Sequence, residues 1–304
     1  MKARRAALVI SLCLALALAA AGCGSGGTAA AGQRLRVVAA ENFWGAVASQ
    51  IAGSKASVTS VIVNPNTDPH SYDPTPADAR SFAAAKLAIV NGIGYDGWAS
   101  KLIAASPLAG RVTLDVGDLL GLRDGDNPHQ WYSPNSLARV VGAIAADLVR
   151  LDPRDGVYYR ARAQAFDTLA LARYHALIAQ IRSRYHGVAV GYSESIFQPL
   201  GQALGLRLLT PYSFAKAIAE GTDVSAADTQ TVERQVRRHL IRVWIFNSQN
   251  VTPEVQHVNS LARAAGIPIT TVTETLSPAA DSFEQWQVAE LESLERALAR
   301  GIKR

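Results

Sequence analysis

Residues 154–185 read RDGVYYRARAQAFDTLALARYHALIAQIRSRY. Apolar side chains recur along this segment at three- and four-residue spacing, at Phe166, Ala170, Tyr174, Leu177, Ile181 and Tyr185. Such a stripe predicts one amphipathic helix with a single buried face. At about 1.5 Å per residue, about 30 helical residues extend for about 45 Å, which is longer than an average helix. We therefore expect a rigid connector that runs along two lobes.

Short runs rich in β-branched residues lie on both sides of this helix and alternate with helical segments. They are Leu35–Ala39, Val58–Val63, Leu87–Val90 and Val112–Leu114 before it, and Val188–Val190, Val243–Phe246 and Ile267–Val272 after it. This alternation predicts an α/β fold, in which two lobes, each a mainly parallel sheet flanked by helices, are joined by the connector helix. We place the N-terminal lobe at 34–152, the connector at 153–186 and the C-terminal lobe at 187–304.

The first residues indicate export. Lys2, Arg4 and Arg5 precede an apolar run from Ala6 to Ala21, and small residues follow, which is the pattern of a secretory signal. The run is shorter than the about 20 residues that a bilayer span requires. We expect residues 1–22 to be a signal peptide and residues 23–33 to be a flexible tether.

The segment Ala20-Ala21-Gly22-Cys23 resembles the lipobox of bacterial lipoproteins, although Ala20 stands where leucine is usual. The resemblance implies that Cys23 is lipidated and anchors the protein to the outer face of the bacterial cytoplasmic membrane, or to its periplasmic face in a Gram-negative cell. The alternative is ordinary cleavage nearby, with Cys23 as a plain thiol.

Composition argues against nucleic acid as a partner. The net charge is +5, but three of the positive charges belong to Lys2, Arg4 and Arg5. No run of basic residues follows the N-terminus, so the chain lacks the electrostatic footprint of a nucleic-acid-binding protein.

We expect the protein to be a monomer.

Two of the six histidines lie in proline-rich loops of the first lobe. His70 belongs to NPNTDPHSYDPTP at 64–76, just after a predicted strand, and His129 belongs to DNPHQWYSP at 126–134. Proline restricts the backbone and can hold an imidazole in place. Either loop alone is equally consistent with an ordinary turn, but two such loops in one lobe indicate a site. We assign the other histidines to helix surfaces: His175, His186, His239 and His257.

Two carboxylates occupy corresponding places in the second lobe. Glu194 and Glu274 each follow a predicted strand, and ligands of open α/β sheets bind beyond the carboxyl ends of the strands. Each glutamate alone is also consistent with a charge at a helix N-terminus. Converging imidazoles and carboxylates suit a divalent metal. Near His70, we expect Asp68, Asp73 and Asp78 to cap turns and the following helix rather than to bind metal.

Four motifs together identify a family. They are Ala40-Glu41-Asn42-Phe43-Trp44-Gly45, Asp68-Pro69-His70 with Pro74-Thr75-Pro76-Ala77-Asp78, Asn91-Gly92-Ile93-Gly94-Tyr95-Asp96-Gly97-Trp98, and Asn127-Pro128-His129-Gln130-Trp131. Over essentially the whole chain after the signal, the sequence resembles the bacterial ABC-importer substrate-binding lipoproteins that capture zinc or manganese, known as cluster A-I or periplasmic solute-binding protein family 9.

The resemblance implies that each lobe supplies two ligands to a metal in the interlobe cleft: His70 and His129 from the first, Glu194 and Glu274 from the second. It implies delivery of the ion to a membrane permease driven by a cytoplasmic ATPase. We expect Asn247 to hydrogen-bond a ligand. We expect Trp44 and Trp131 either to wall the cleft or to be plain core residues.

The sequence departs from the zinc-type members of this family. Many of them have histidine where Glu194 stands, aspartate where Glu274 stands, and a loop rich in His and Asp that is absent here. Two imidazoles and two carboxylates suit Mn²⁺ or Fe²⁺, yet the usual order of divalent affinities favours Zn²⁺. We leave Zn²⁺ and Mn²⁺ open and regard Fe²⁺ as less favoured.

Two other functions compete with the metal receptor. A metallohydrolase needs an open coordination position for water, and the sequence has neither an H-E-x-x-H nor a G-x-S-x-G motif. We therefore expect no enzyme activity. The remaining alternative is a lipoprotein that binds an organic solute or acts as a surface adhesin, in which His70 and His129 are incidental.

Overall fold

Two four-stranded sheets organise residues 34–303, the part of the chain that this computed structural model describes. The strands are β1 (Leu35–Glu41), β2 (Ala56–Ile62), β3 (Leu87–Val90), β4 (Val112–Asp115), β5 (Ala189–Tyr192), β6 (Arg207–Leu208), β7 (Val243–Asn247) and β8 (Ile269–Val272). The sheet orders are β2-β1-β3-β4 and β6-β5-β7-β8, and every pairing is parallel. The predicted α/β class with two sheets is confirmed.

Helices connect the strands. They are α1 (Asn42–Ala52), α2 (Pro76–Ala84), α3 (Gly97–Ala105), α4 (Val116–Leu120), α5 (Pro134–Leu151), α6 (Gly156–Ala165), α7 (Ala172–Tyr185), α8 (Gln198–Ala203), α9 (Tyr212–Ala219), α10 (Ala226–Arg237), α11 (Pro253–Ala264) and α12 (Phe283–Gly301). Side-chain capping fixes the first residue of several of these helices. In α2, Thr75 and Asp78 form a reciprocal capping box, as expected of Asp78, and Ser282 and Gln285 do the same in α12.

The connector contains one π-helical turn, Phe166–Ala170, between α6 and α7. The Leu171 N–H donates to the Phe166 carbonyl at 2.9 Å, five residues back, which defines that turn. The extra residue buries Leu171 where an unbroken α-helix would bury Ala170, which is only partly covered. Burying the larger apolar side chain stabilises the fold and offsets the cost of the irregular turn.

Each half of the connector packs on a different lobe. Helix α6 lies against α1 and α5, which flank the first sheet, whereas α7 lies against α12, which covers the second. Side chains of both halves join one continuous hydrophobic core that contains residues of both lobes, among them Tyr159, Tyr174 and Leu177. The connector therefore belongs to the core of the protein rather than bridging open solvent.

The sequence predictions miss some details at the strand ends. Strand β6 has two residues, too few to produce a pattern, and β5 extends to Tyr192, two residues beyond the predicted end. Among the described helices, none combines the length and the apolar character that crossing a bilayer demands. The predicted signal peptide, the tether and Cys23 lie outside the described residues. The lobe boundaries at 34–152, 153–186 and 187–304 stay predictions.

Candidate metal centre

Three of the four predicted ligands converge in the structure. One donor atom from each of His129, Glu194 and Glu274 lies within 4.8 Å of the other two, and all three residues are buried. The His129 Nε2 atom is 3.8 Å from Glu194 Oε1 and 3.5 Å from Glu274 Oε1. Each glutamate stands two residues beyond a strand end, as the rule for open α/β sheets requires.

A neighbouring amide orients the His129 ring. Asn127 Oδ1 accepts the His129 backbone N–H at 3.1 Å and lies 2.7 Å from Nδ1 of the ring. A proton on Nδ1 completes this contact and leaves the Nε2 lone pair free, which is the usual arrangement of a metal-binding imidazole. Within residues 34–303, Nε2 has no hydrogen-bond partner. Burial lowers the pKa of His129 to about 4, so the ring is neutral at physiological pH.

The two carboxylates share one amide donor. Asn247 Nδ2 donates to Glu194 Oε2 at 2.9 Å and to Glu274 Oε1 at 3.0 Å, which is the kind of contact predicted for Asn247. Burial and the charge of Glu274 raise the pKa of Glu194 well above its usual value, and burial raises the pKa of Glu274 to about 7. Two buried carboxylates repel each other, and a divalent cation between them would relieve that cost.

His70 lies at the rim of this cluster. It belongs to a short 3-10 turn, Pro69–Ser71, where Asp68 Oδ1 accepts the His70 backbone N–H at 2.9 Å, as expected of Asp68. The centre of its ring is 6.5 Å from that of His129 and 4.5 Å from that of Tyr95. Desolvation of the ring and the nearby His129 lower the pKa of His70, so this imidazole too is a neutral donor.

Two cavities share the rim residue His70. One has a volume of about 430 Å³ and reaches Glu274, and the other has a volume of about 140 Å³ and reaches His129. Glu220 lines both. The donor cluster therefore borders open space on the side of His70, through which an ion can reach it.

The two tryptophans differ in position. The Trp131 ring is 5.2 Å from the His129 ring and stacks on Phe43 at 3.9 Å, so it contacts the site from the core side. Trp44 is fully buried and donates its indole N–H to Asn91 Oδ1 at 3.0 Å, which places it in the core of the first lobe.

Sequence reasoning missed Tyr95 as a site residue. Its hydroxyl donates to Glu274 Oε2 at 2.9 Å across the cleft. The turn that carries it follows β3 and is held by Asp96, which accepts the backbone N–H groups of Asn91 at 2.7 Å and Gly92 at 2.8 Å. Gly92 has φ 69°, a left-handed conformation that favours glycine. The available signal was its position after a strand, the same signal that identified Glu194.

Comparison with known proteins gives a family match over most of the chain. The model of the family described as "Zinc-uptake complex component A periplasmic" matches residues 37–297. "Manganese-binding lipoprotein MntA" of Halalkalibacterium halodurans is 32% identical over 185 residues, which cover 59% of this chain and 61% of the relative. "Iron-binding protein YfeA" of Yersinia pestis is 25% identical over 239 residues, covering 76% and 67%. The chain thus spans less than two thirds of the length of the first of these relatives and about two thirds of the second.

Solved structures share the fold. A manganese-bound periplasmic metal binding protein from Candidatus Liberibacter asiaticus superimposes with a TM-score of 0.72 at 20% identity, covering 87% of this chain and all of that chain. The laminin-binding protein Lbp of Streptococcus pyogenes gives a TM-score of 0.70 at 20% identity, covering 88% and 99%. At this level of identity the likeness establishes the architecture, and it confirms the two-lobed arrangement.

Proposed function

We propose a function from one premise: the chain belongs to the family described as Zinc-uptake complex component A periplasmic. The protein is an extracytoplasmic receptor that captures one divalent transition metal ion in the interlobe cleft and delivers it to the permease of an ABC importer. It is a binding protein and not an enzyme. The ion is its cargo, and His70, His129, Glu194 and Glu274 hold it.

One observation carries this proposal. The buried Nε2 atom of His129 lies within 3.8 Å of two buried carboxylates, and no hydrogen-bond partner for it exists among residues 34–303. A neutral imidazole and two carboxylates that are buried together are costly unless a cation joins them. His70 would supply the fourth donor by a small movement from the rim, which closes the site on the side of the cavities.

The donor chemistry limits the ion to a few candidates. We propose Zn²⁺ or Mn²⁺, with Fe²⁺ less favoured, because imidazole suits zinc and carboxylate oxygen suits manganese. Relatives described as manganese-binding and iron-binding support a transition metal as cargo. Asn247 would orient both carboxylates toward the ion from behind.

The same family membership supports proposals about membrane attachment and partners. We propose that Cys23 carries the lipid anchor, that residues 23–33 tether the lobes to the outer face of the cytoplasmic membrane, and that the protein is a monomer. Its partners would be an ABC permease and the ATPase that drives it. The relative from H. halodurans is described as a lipoprotein, which supports the anchor.

The test is metal content, measured by mass spectrometry on residues 24–304 after stripping and exposure to equimolar Zn²⁺, Mn²⁺ and Fe²⁺. We expect about one ion per wild-type chain and far less in His129→Ala. His257→Ala is the matched control, because His257 is exposed and pairs with Glu233, at 2.9 Å. Its metal content should equal that of the wild type.

The same assay also tests the alternative that the protein binds an organic solute. A wild-type chain without stoichiometric metal, or a His129→Ala variant that retains all of it, would remove the proposed ligand set. The identity of the ion that binds under competition would separate Zn²⁺ from Mn²⁺.

A further inference from the structure

A third carboxyl group lies behind the proposed metal site and does not border it. Glu290 belongs to α12 of the second lobe. Its Oε2 atom is 2.6 Å from the Tyr132 hydroxyl oxygen, and its Oε1 atom accepts from Thr273 Oγ1 and Trp286 Nε1, both at 3.0 Å. No cation appears among these contacts.

Tyr132, a residue of the first lobe, takes part in this set of hydrogen bonds. Its hydroxyl lies 2.9 Å from the Thr273 carbonyl oxygen, and the Thr273 backbone N–H donates to it at 3.2 Å. Tyr132 is fully buried. The hydroxyl oxygen thus has three polar neighbours: one N–H donor, one carbonyl acceptor and the Glu290 carboxyl.

The number of protons available for these hydrogen bonds shows whether Glu290 is neutral or ionised. A phenol has one proton, and it can be given either to the Thr273 carbonyl or to Glu290, but not to both. If Glu290 carries its own proton, it donates to the Tyr132 oxygen, Tyr132 donates to Thr273, and every polar group in the set is satisfied. If Glu290 is ionised, the buried Thr273 carbonyl loses its donor from Tyr132, at an energetic cost. Consistent with the first arrangement, burial raises the pKa of Glu290 to about 8.

The two residues held by this network stand next to metal ligands. Tyr132 follows His129 by three residues, in the 3-10 turn Gln130–Tyr132, and Thr273 immediately precedes Glu274. One hydroxyl group therefore links the ligand loop of the first lobe to the ligand loop of the second. The spacing between His129 and Glu274, 3.5 Å from Nε2 to Oε1, depends on both loops staying in place.

We propose that Glu290, as a neutral carboxylic acid, is a positioning residue for the metal site, and that it holds Glu274 against His129 through Tyr132 and Thr273. This role rests on the proposed function. Glu290 does not touch the ion. It sets the distance between two ligands that belong to different lobes, and so it controls how quickly the bound ion is released.

The experiment compares release rates of Zn²⁺ from residues 24–304, measured by stopped-flow transfer to a chromogenic chelator. Glu290→Ala and Tyr132→Phe break the network, whereas Glu290→Gln keeps one donor and one acceptor and should preserve it. Glu292→Gln is the matched control, because Glu292 lies on the same helix, partly exposed, and pairs with Arg173 on the surface. The absorption spectrum of bound Co²⁺ reports the ligand geometry in each variant.

We expect release about tenfold faster from Glu290→Ala and Tyr132→Phe, which is the scale of one lost buried hydrogen bond, with a changed Co²⁺ spectrum. Glu290→Gln and Glu292→Gln should stay within about twofold of the wild type and keep its spectrum. Rescue by glutamine separates a neutral positioning group from a charge that the site requires.

Two results would overturn the inference. Unchanged release from Tyr132→Phe would show that the link between the lobes does not hold the ligands. Release from Glu290→Gln as fast as from Glu290→Ala would show that a charged carboxylate is needed. If Glu290→Ala does not fold, Glu290→Gln and Tyr132→Phe still decide. Wild-type metal content is measured first, so a chain that binds no ion refutes the proposed function itself and is recognised as such.

Discussion

The hydroxyl group of Tyr95, from the first lobe, donates to Glu274 Oε2 of the second at 2.9 Å. The same tyrosine places its ring edge-on to His70, 4.5 Å away between ring centres. Burial and the neighbouring Glu274 raise the pKa of Tyr95 well above its usual value, so the hydroxyl remains a donor. Tyr95 therefore contacts a proposed ligand of each lobe at once.

Removing that hydroxyl should weaken metal binding. In Tyr95→Phe, Glu274 loses a hydrogen bond of the kind that contributes about 1.5–3 kcal/mol when one partner is charged. We expect affinity for Mn²⁺ to fall about tenfold, with the stoichiometry unchanged. Titration calorimetry measures both. Tyr192→Phe is the control, since Tyr192 is buried in the second lobe and its hydroxyl faces the Thr210 carbonyl. Equal affinities for Tyr95→Phe and the wild type would show that the hydrogen bond from Tyr95 to Glu274 does not contribute to metal binding.

Asp68 should act through the turn that carries His70. Its carboxylate accepts the His70 backbone N–H and the Ser71 hydroxyl, both at 2.9 Å. An N-cap of this type contributes about 1 kcal/mol, and asparagine replaces aspartate well at such positions. We expect Asp68→Ala to reduce metal affinity several-fold and Asp68→Asn to retain it. An Asp68→Asn variant as weak as Asp68→Ala would instead indicate that the negative charge of Asp68 attracts or binds the ion.

A buried acid at the end of β1 should make the metal-free protein less stable at high pH. Glu41 is fully buried, and burial followed by the charge of Asp96 raises its pKa well above the usual value, while burial raises the pKa of Asp96 to about 6. Both groups hold their protons more tightly in the folded chain than in the unfolded one. Their stabilising contribution is therefore complete below the unfolded pKa values, about 4, and is lost as pH rises through the folded values.

Glu41→Gln tests this dependence. Because the amide cannot ionise, the variant should lose less stability than the wild type between pH 5 and pH 8 and should be more stable at pH 8 by about 1–3 kcal/mol. Urea unfolding in the presence of chelator at both pH values measures the difference. Glu292→Gln, on the surface, should leave the pH dependence as it is. Parallel pH profiles for Glu41→Gln and the wild type would mean that Glu41 does not hold a proton in the folded protein.

Metal should stabilise the fold, and chelation should reverse the effect. Free ion at about 100 times its dissociation constant adds about 2.7 kcal/mol to the free energy of unfolding. For a chain of this size that corresponds to a rise in Tm of about 5 °C. Scanning calorimetry of wild type and His129→Ala, with Mn²⁺ and then with EDTA, measures the shift. The same rise in His129→Ala would locate the stabilising ion outside the proposed site.

Much of the architecture was predictable because local patterns determine it. Strand β3 is a continuous buried apolar run between helices, and β1 is buried from Val37 onward, as expected for central strands of a parallel sheet. The placement of Glu194 and Glu274 followed from the same regularity, since carboxyl ends of parallel strands share an edge.

The features that sequence could not predict are long-range or depend on packing. Tyr95 and Glu274 are 179 positions apart, and Tyr132 and Glu290 are 158 positions apart, so no periodicity relates them. The π-helical turn of the connector depends on whether Leu171 or Ala170 is buried in the core. The three- and four-residue spacing of apolar residues does not determine which of the two is buried. The position of His70 at the rim depends on side-chain packing against Tyr95 rather than on the proline-rich loop alone.

The two sheets have the same strand order, and His129 and Glu274 both follow the fourth strand of their sheet. Two identical subunits meeting face to face would supply the same set of donors from both sides, so imidazoles on one side would require imidazoles on the other. Because both halves belong to one polypeptide, each can change without the other. Joining both halves in one polypeptide is thus what permits imidazoles on one side of the cleft and carboxylates on the other, a division that a symmetric homodimer could not offer.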